Sequence, residues 1–81
     1  MDYTQYVHEF SDRSGQIRYA VGRWDDDHAE YIRPFDATER RLTGCSAEFA
    51  RKPEAIQSFP TRKQALRRAR YLFGEQGDEE A

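Results

Sequence analysis

Lys63, Arg67 and Arg70 stand four and three residues apart, a spacing that on a helix puts them in one line. A line of fixed cations can do two kinds of chemistry: pair with the carboxylates of an acidic protein surface, or neutralise the phosphates of a nucleic acid. Arg68 and Tyr71 sit beside the line and add a further guanidinium and a ring on which a base could stack. Five bases and no acid fall between Thr61 and Gly74. Two of them, Arg62 and Lys63, occupy the first turn, where the helix dipole disfavours cations by about 0.3–1 kcal/mol each. An outside anion is one reason for them to be there. The candidate partner-binding set is therefore Lys63, Arg67, Arg68, Arg70 and Tyr71. The plain alternative is a solvated face, since Arg is a good helix former and helices need polar outer surfaces.

Other reactive groups are sparse. Asp25-Asp26-Asp27-His28 with Glu30 collects the carboxylates that a hard cation wants. Adjacent residues of a tight turn point in different directions, however, and Asp favours turns for local reasons. The cluster reads as a hairpin turn and as a secondary acidic patch, Asp25, Asp26, Asp27 and Glu30, that could mimic phosphate locally; no metal is assigned to it. Cys45 with His8 or His28 could in principle make a thiol nucleophile, but no third, orienting residue is identifiable. His8 alternates in phase with Tyr6 and Phe10, which points to a core or rim position. A phosphate loop, a glycine fingerprint, a nucleophile elbow and a paired Cys-x-x-Cys are all absent from the sequence. No catalytic residue and no cofactor are assigned.

The cationic line needs a helix to carry it, and the flanking residues specify one. Thr61 and Gln64 have the spacing of a capping box, and Gly74 stands where a left-handed C-cap is wanted. At about 100° per residue, Ala65, Leu66, Ala69, Leu72 and Phe73 fall within an arc of roughly 120°, so this face must lie on something apolar. Upstream, residues 3–10 and 16–24 alternate as strands about the turn Ser11–Gly15, with Ile17, Tyr19 and Val21 on one face of the second. The acidic turn leads to a third strand over 29–35, which Pro34 ends or confines to an edge. From Asp36 to Glu39 the chain could cap a helical turn, or 39–46 could be a fourth strand; Ser46 to Lys52 could be a short helix that Pro53 stops. The expected fold is α+β: a small antiparallel sheet of three to four strands with a C-terminal amphipathic helix packed on one face. Residues 1–74 form one domain and 75–81 a flexible acidic tail.

Composition bounds the rest. Eighty-one residues leave room for one core, and 35% charged residues with a mean hydropathy of −1.06 make a very polar exterior. Five Tyr, five Phe and one Trp supply the apolar area that a disordered chain would lack. The single Cys45 leaves no internal disulfide, no apolar run reaches the roughly 18–20 residues of a membrane span, and the N-terminus lacks the pattern of a signal peptide. The expectation is a cytoplasmic protein. Net charge is −2 but segregated: residues 1–39 carry −5, residues 40–70 carry +7, and residues 71–81 carry −4. Fields of both signs bear on association rather than on fold.

In size, strand order and the helix entry Phe59-Pro60-Thr61-Arg62-Lys63-Gln64-Ala65, the chain resembles small phage-encoded proteins, including anti-CRISPR inhibitors. That resemblance implies a protein without chemistry of its own that blocks a larger complex. Over Tyr19 to Ala65 the chain is also similar to HicB-type antitoxin domains. The similarity lies in a Tyr-x-Val strand, the acidic turn Asp25–Asp27, Tyr31, the pair Phe35-Asp36 and the pair Gly44-Cys45, all before a helix. Neither resemblance carries a functional residue onto this chain. The leading expectation is a non-enzymatic protein-binding module that acts by steric or electrostatic occlusion. The alternative is a nucleic-acid-binding or antitoxin-like module using the same basic helix face, weakened by the acidic overall charge.

Overall fold

A single aspartate organises the first hairpin. Asp12 Oδ1 accepts from Ser14 N, Gln16 N and the Ser14 hydroxyl at 2.6–3.0 Å, and Gly15 takes the left-handed φ of 86° that the turn requires. The hairpin pairs β1 (Val7–Ser11) with β2 (Ile17–Val21) antiparallel, from Val7 opposite Val21 to Ser11 opposite Ile17. The computed structural model describes residues 2–74. The acidic tail expected over 75–81 lies outside the described residues.

The strand expected over 16–24 is broken at Gly22. Its N–H donates to Tyr6 O at 2.9 Å, its carbonyl lies 2.7 Å from His8 Nε2, and a β-carbon there would stand 2.8 Å from Ile56 Cδ1. No larger residue fits without moving the buried Ile56. The chain bends here and leaves the first sheet for a second, as β3 (Arg23–Asp25). The expected α+β class holds, with the strands divided into two antiparallel three-stranded sheets, ordered β1-β2-β6 (β6, Ser58–Phe59) and β3-β4-β5 (β4, Glu30–Pro34; β5, Ala47–Ala50).

Past the acidic turn, β4 (Glu30–Pro34) pairs with β3 and β5 (Ala47–Ala50). Pro34 ends the strand, opposite Ala47 and beyond the reach of β3, where its missing N–H breaks no ladder. Between the two strands runs α1 (Ala37–Thr43). Its capping box is complete, since Asp36 accepts from Glu39 N at 2.8 Å and Glu39 accepts from Asp36 N at 3.0 Å. The helical alternative for 36–39 therefore holds over a strand at 39–46, and Gly44 closes the helix at a φ of 74°. The short helix expected over 46–52 is instead β5. Its Glu48 is drawn to Arg33 across the sheet, a long-range attraction that local pattern cannot show.

A one-turn helix at Pro53–Ala55 leads into β6 (Ser58–Phe59), which pairs with β2, and then into α2 (Arg62–Phe73). Thr61 Oγ1 accepts from Gln64 N at 3.2 Å, but the Gln64 side chain takes the Thr61 hydroxyl proton at 3.1 Å rather than completing the box. Gly74 is not left-handed; it is small because Tyr3 covers it. α2 packs across β2, β1 and β6. Ala65 and Ala69 are fully buried and Leu72 nearly so, against Val7 and Val21, while Leu66 and Phe73 lie half-buried at the margin. Small side chains let the helix backbone approach the sheet, so alanines occupy the centre that Leu66 and Phe73 were expected to share. Phe73 stacks on Tyr6 with ring centroids 4.1 Å apart.

An ionic cluster ties the second sheet to both helices. Arg33, only 3% exposed, donates twice to Glu39 at 2.7 and 2.9 Å and once to Glu48 at 2.6 Å. Burial opposes its charge, and the two carboxylates outweigh that, holding its pKa above the ordinary value. The Arg33 hydrogen bonds hold Glu39 below the usual carboxylate range; for Asp36, the Glu39 N–H does most of the same work, with Arg68 adding to it.

Candidate partner-binding face

The turn that fixes α2 against the sheet also decides which of its cations face outward. With Ala65, Ala69 and Leu72 buried, Lys63, Arg67 and Arg70 fall on the far side, and the structure places all three on the exposed surface. Residues 62–73 contain no carboxylate. The three residues expected to form a line do form one.

Arg68 is engaged inside the molecule as well as bordering this face. Its Nε donates to Gln57 Oε1 at 2.9 Å, and its Nη2 to Asp36 Oδ2 at 2.9 Å and Glu39 Oε1 at 3.2 Å. It is a strut between α2 and the start of α1, one position round the helix from the exposed line. Arg62 also finds its partners inside the molecule: Glu9 at 3.4 Å, and the Tyr19 ring 5.2 Å below its guanidinium. Its place in the first turn therefore has an internal reason, and only Lys63 keeps the unfavourable dipole position without one that the structure records.

Tyr71 is 39% exposed and lies beneath the Arg68 guanidinium, 5.4 Å from centroid to carbon. It lines a shallow groove of about 360 Å³ with Phe59, Gln64, Arg67 and Arg68. A second groove of about 380 Å³ runs along the other flank, where Lys63, Leu66, Arg67 and Arg70 face Tyr3 and Asp2. Arg67 borders both. The face is therefore a cationic ridge between two furrows, each with aromatic carbon in its wall. Phe59 and Tyr3 come from outside the helix, and neither was legible as part of the site. For Phe59 the signal available was its position immediately before the helix entry; for Tyr3 there was none. Arg40, Arg41, Arg51 and Lys52 line neither furrow.

The acidic turn lies elsewhere, between β3 and β4, and most of its carboxylates are engaged locally. Asp25 accepts from Asp27 N at 3.1 Å and meets His28 Nδ1 at 2.6 Å, and Asp26 accepts from Trp24 Nε1 at 2.6 Å. Asp25, His28 and Glu30 can bring donor atoms within 4.8 Å of one another. The Asp25 hydrogen bond raises the His28 pKa, and the same bond lowers that of Asp25. Glu30 is half-buried and Asp27 exposed, which leaves Asp27 as the most available part of the acidic patch.

The groups considered for thiol chemistry are dispersed. His8 Nε2 meets the Gly22 carbonyl, and its ring packs 4.7 Å from that of Tyr31. His28 is held by Asp25, and exposed Cys45 turns its thiol toward Thr43 O at 3.7 Å. Among the described residues no helix is long and apolar enough to cross a membrane. No family model, no curated protein and no solved structure matches this chain.

Proposed function

We propose that this chain is a non-enzymatic protein-binding module that docks the outer face of α2 on an acidic surface of a larger complex and blocks it by occlusion, as small phage-encoded inhibitors do in the cytoplasm. One observation carries the reading: Lys63, Arg67 and Arg70 stand exposed along a helix with no carboxylate, between two furrows walled by Phe59, Tyr71 and Tyr3. Cations flanked by aromatic carbon suit a protein interface, where Arg and Tyr supply much of the binding energy. A phosphate backbone would meet Asp2 in one furrow and a molecule of net charge −2 behind it, which favours it less.

The test is affinity capture from a host lysate, with and without nuclease, using the parent chain and Lys63→Glu/Arg67→Glu. The expected result is a protein partner that survives nuclease and is lost by the double variant, whose circular dichroism matches the parent. Partners that vanish on nuclease treatment would transfer the face to nucleic acid. In that case affinity should fall with salt at a log–log slope of about −0.9 per phosphate neutralised on duplex DNA. Capture of the same partners by both proteins would place the binding surface elsewhere.

A further inference from the structure

We propose that the open edge of β5 pairs with the β5 edge of a second copy of this chain, joining the two second sheets into one six-stranded sheet about a two-fold axis at Phe49. The inference is independent of the α2 face. It starts from backbone direction. Phe35 N–H donates to Ser46 O at 2.9 Å, so residue 46, and by antiparallel alternation 48 and 50, direct their backbone groups toward β4. Ala47 and Phe49 therefore direct theirs outward, and among the described residues no strand lies beyond β5. Such an edge is a template for another strand, and proteins that stay single protect it with proline, lysine or a covering element. Ala47–Ala50 itself holds no lysine or proline, although the strand is only four residues long and Arg51, Lys52 and Pro53 follow it directly.

The side chains at this edge point the same way. Phe49 is 59% exposed, beside Ile32 on the sheet face opposite to Arg33 and Tyr31. Leu42, at the end of the helix that feeds β5, is 81% exposed. These are the two most exposed large apolar side chains among the described residues, and both lie within eight residues of one connected segment.

A second copy suits this edge because the strand is complementary to itself. Antiparallel pairing centred on Phe49 sets the two Phe49 residues opposite each other in a hydrogen-bonded pair, with backbone bonds exchanged both ways. The same register sets Ala47 opposite Arg51 and Glu48 opposite Ala50 of the second copy, so no charge directly faces its own kind and the long Arg51 stem lies over a methyl. A net charge of −2 leaves little repulsion between copies. The contact is short, below the roughly 1,200–2,000 Å² of a stable interface, so it forms a concentration-dependent dimer.

Sedimentation equilibrium of the full chain over a wide concentration range should show the average mass rising from 9.6 kDa toward twice that value. Phe49→Asp, at an exposed site, and Ala47→Pro, which removes an outward N–H and leaves the β4 ladder whole, should each weaken association at least about tenfold. Either variant alone tests the edge if the other fails to fold. Directly opposed residues of a hydrogen-bonded pair have α-carbons about 5.5 Å apart, within disulfide reach, so Cys45→Ser/Phe49→Cys should form a covalent dimer when an added disulfide oxidant (oxidised glutathione) takes up the two electrons. A single-chain mass at every concentration, association indifferent to both edge variants, or no covalent dimer from the cysteine variant would overturn the proposal.

Discussion

Replacing Arg33 by Met tests the ionic cluster that joins the second sheet to the helices. The methionine keeps much of the length of the arginine stem but leaves Glu39 and Glu48 without the guanidinium that held both. Glu39 retains Arg68 and the Asp36 N–H, and Glu48 retains the Gln57 N–H at 3.1 Å. Removing one partner of a buried ion pair costs about 3–5 kcal/mol, chiefly because the other charge is left uncompensated. The carboxylate side chains are 26% and 30% exposed, so water recovers part of that and the lower end applies, about 3 kcal/mol. A chain of this size has a total stability of roughly 4–12 kcal/mol, so the loss is a large fraction of it. It corresponds to a fall in Tm of about 10–25 °C for a domain of this length. Thermal melts by circular dichroism read it directly, and pH supplies a second signature. Glu39 is depressed in the parent, so its contribution is present above its unfolded pKa and is lost as pH falls through its folded pKa. The deficit of the Arg33→Met variant should accordingly be greatest near neutrality and shrink toward acid. A variant that melts within about 3 °C of the parent at neutral pH, or a deficit that grows on acidification, would show that the Arg33 cluster does not carry this stability.

Three further outcomes are expected. Leu72→Ala, at a site 9% exposed beside two buried alanines, should cost about 2–5 kcal/mol, and the half-buried Leu66→Ala distinctly less; equal losses by denaturant titration would show that the helix face is misplaced. Gly44→Ala forces a β-carbon into the left-handed region at φ 74° and should destabilise by about 1–2 kcal/mol, although open space surrounds the site; an unchanged midpoint would mean that the α1 C-cap is not formed as described. The parent itself should lose stability as pH falls below the ordinary carboxylate range, because Asp36 and Glu39 must both take up protons that the unfolded chain binds more readily; a midpoint flat from neutrality to pH about 3 would contradict that linkage.

The features legible in the residues alone are local. The Asp12 turn, the Thr61 cap, the span of α2 and its apolar arc follow from spacings of a few residues, where hydrogen bonds and helical periodicity act within one segment, while the Asp36 cap was one of two readings left open. The line Lys63, Arg67, Arg70 was legible for the same reason: once the buried stripe is known, the opposite face follows. Features that depend on partners distant in sequence emerge only when the elements pack together. Position 22 holds a glycine because Ile56, thirty-four residues on, occupies the space where a β-carbon would stand, and at this residue the chain passes from one sheet to the other. Residues 47–50 became a strand because β4 offered a ladder and Arg33 a charge, overriding a weak helical pattern. Arg68 looked like its neighbours on the helix, and only the approach of Asp36, Glu39 and Gln57 converted it from a surface cation to an internal strut. Spacing along a chain reports direction on an element, whereas the neighbours of that direction are set by the packing of elements against each other.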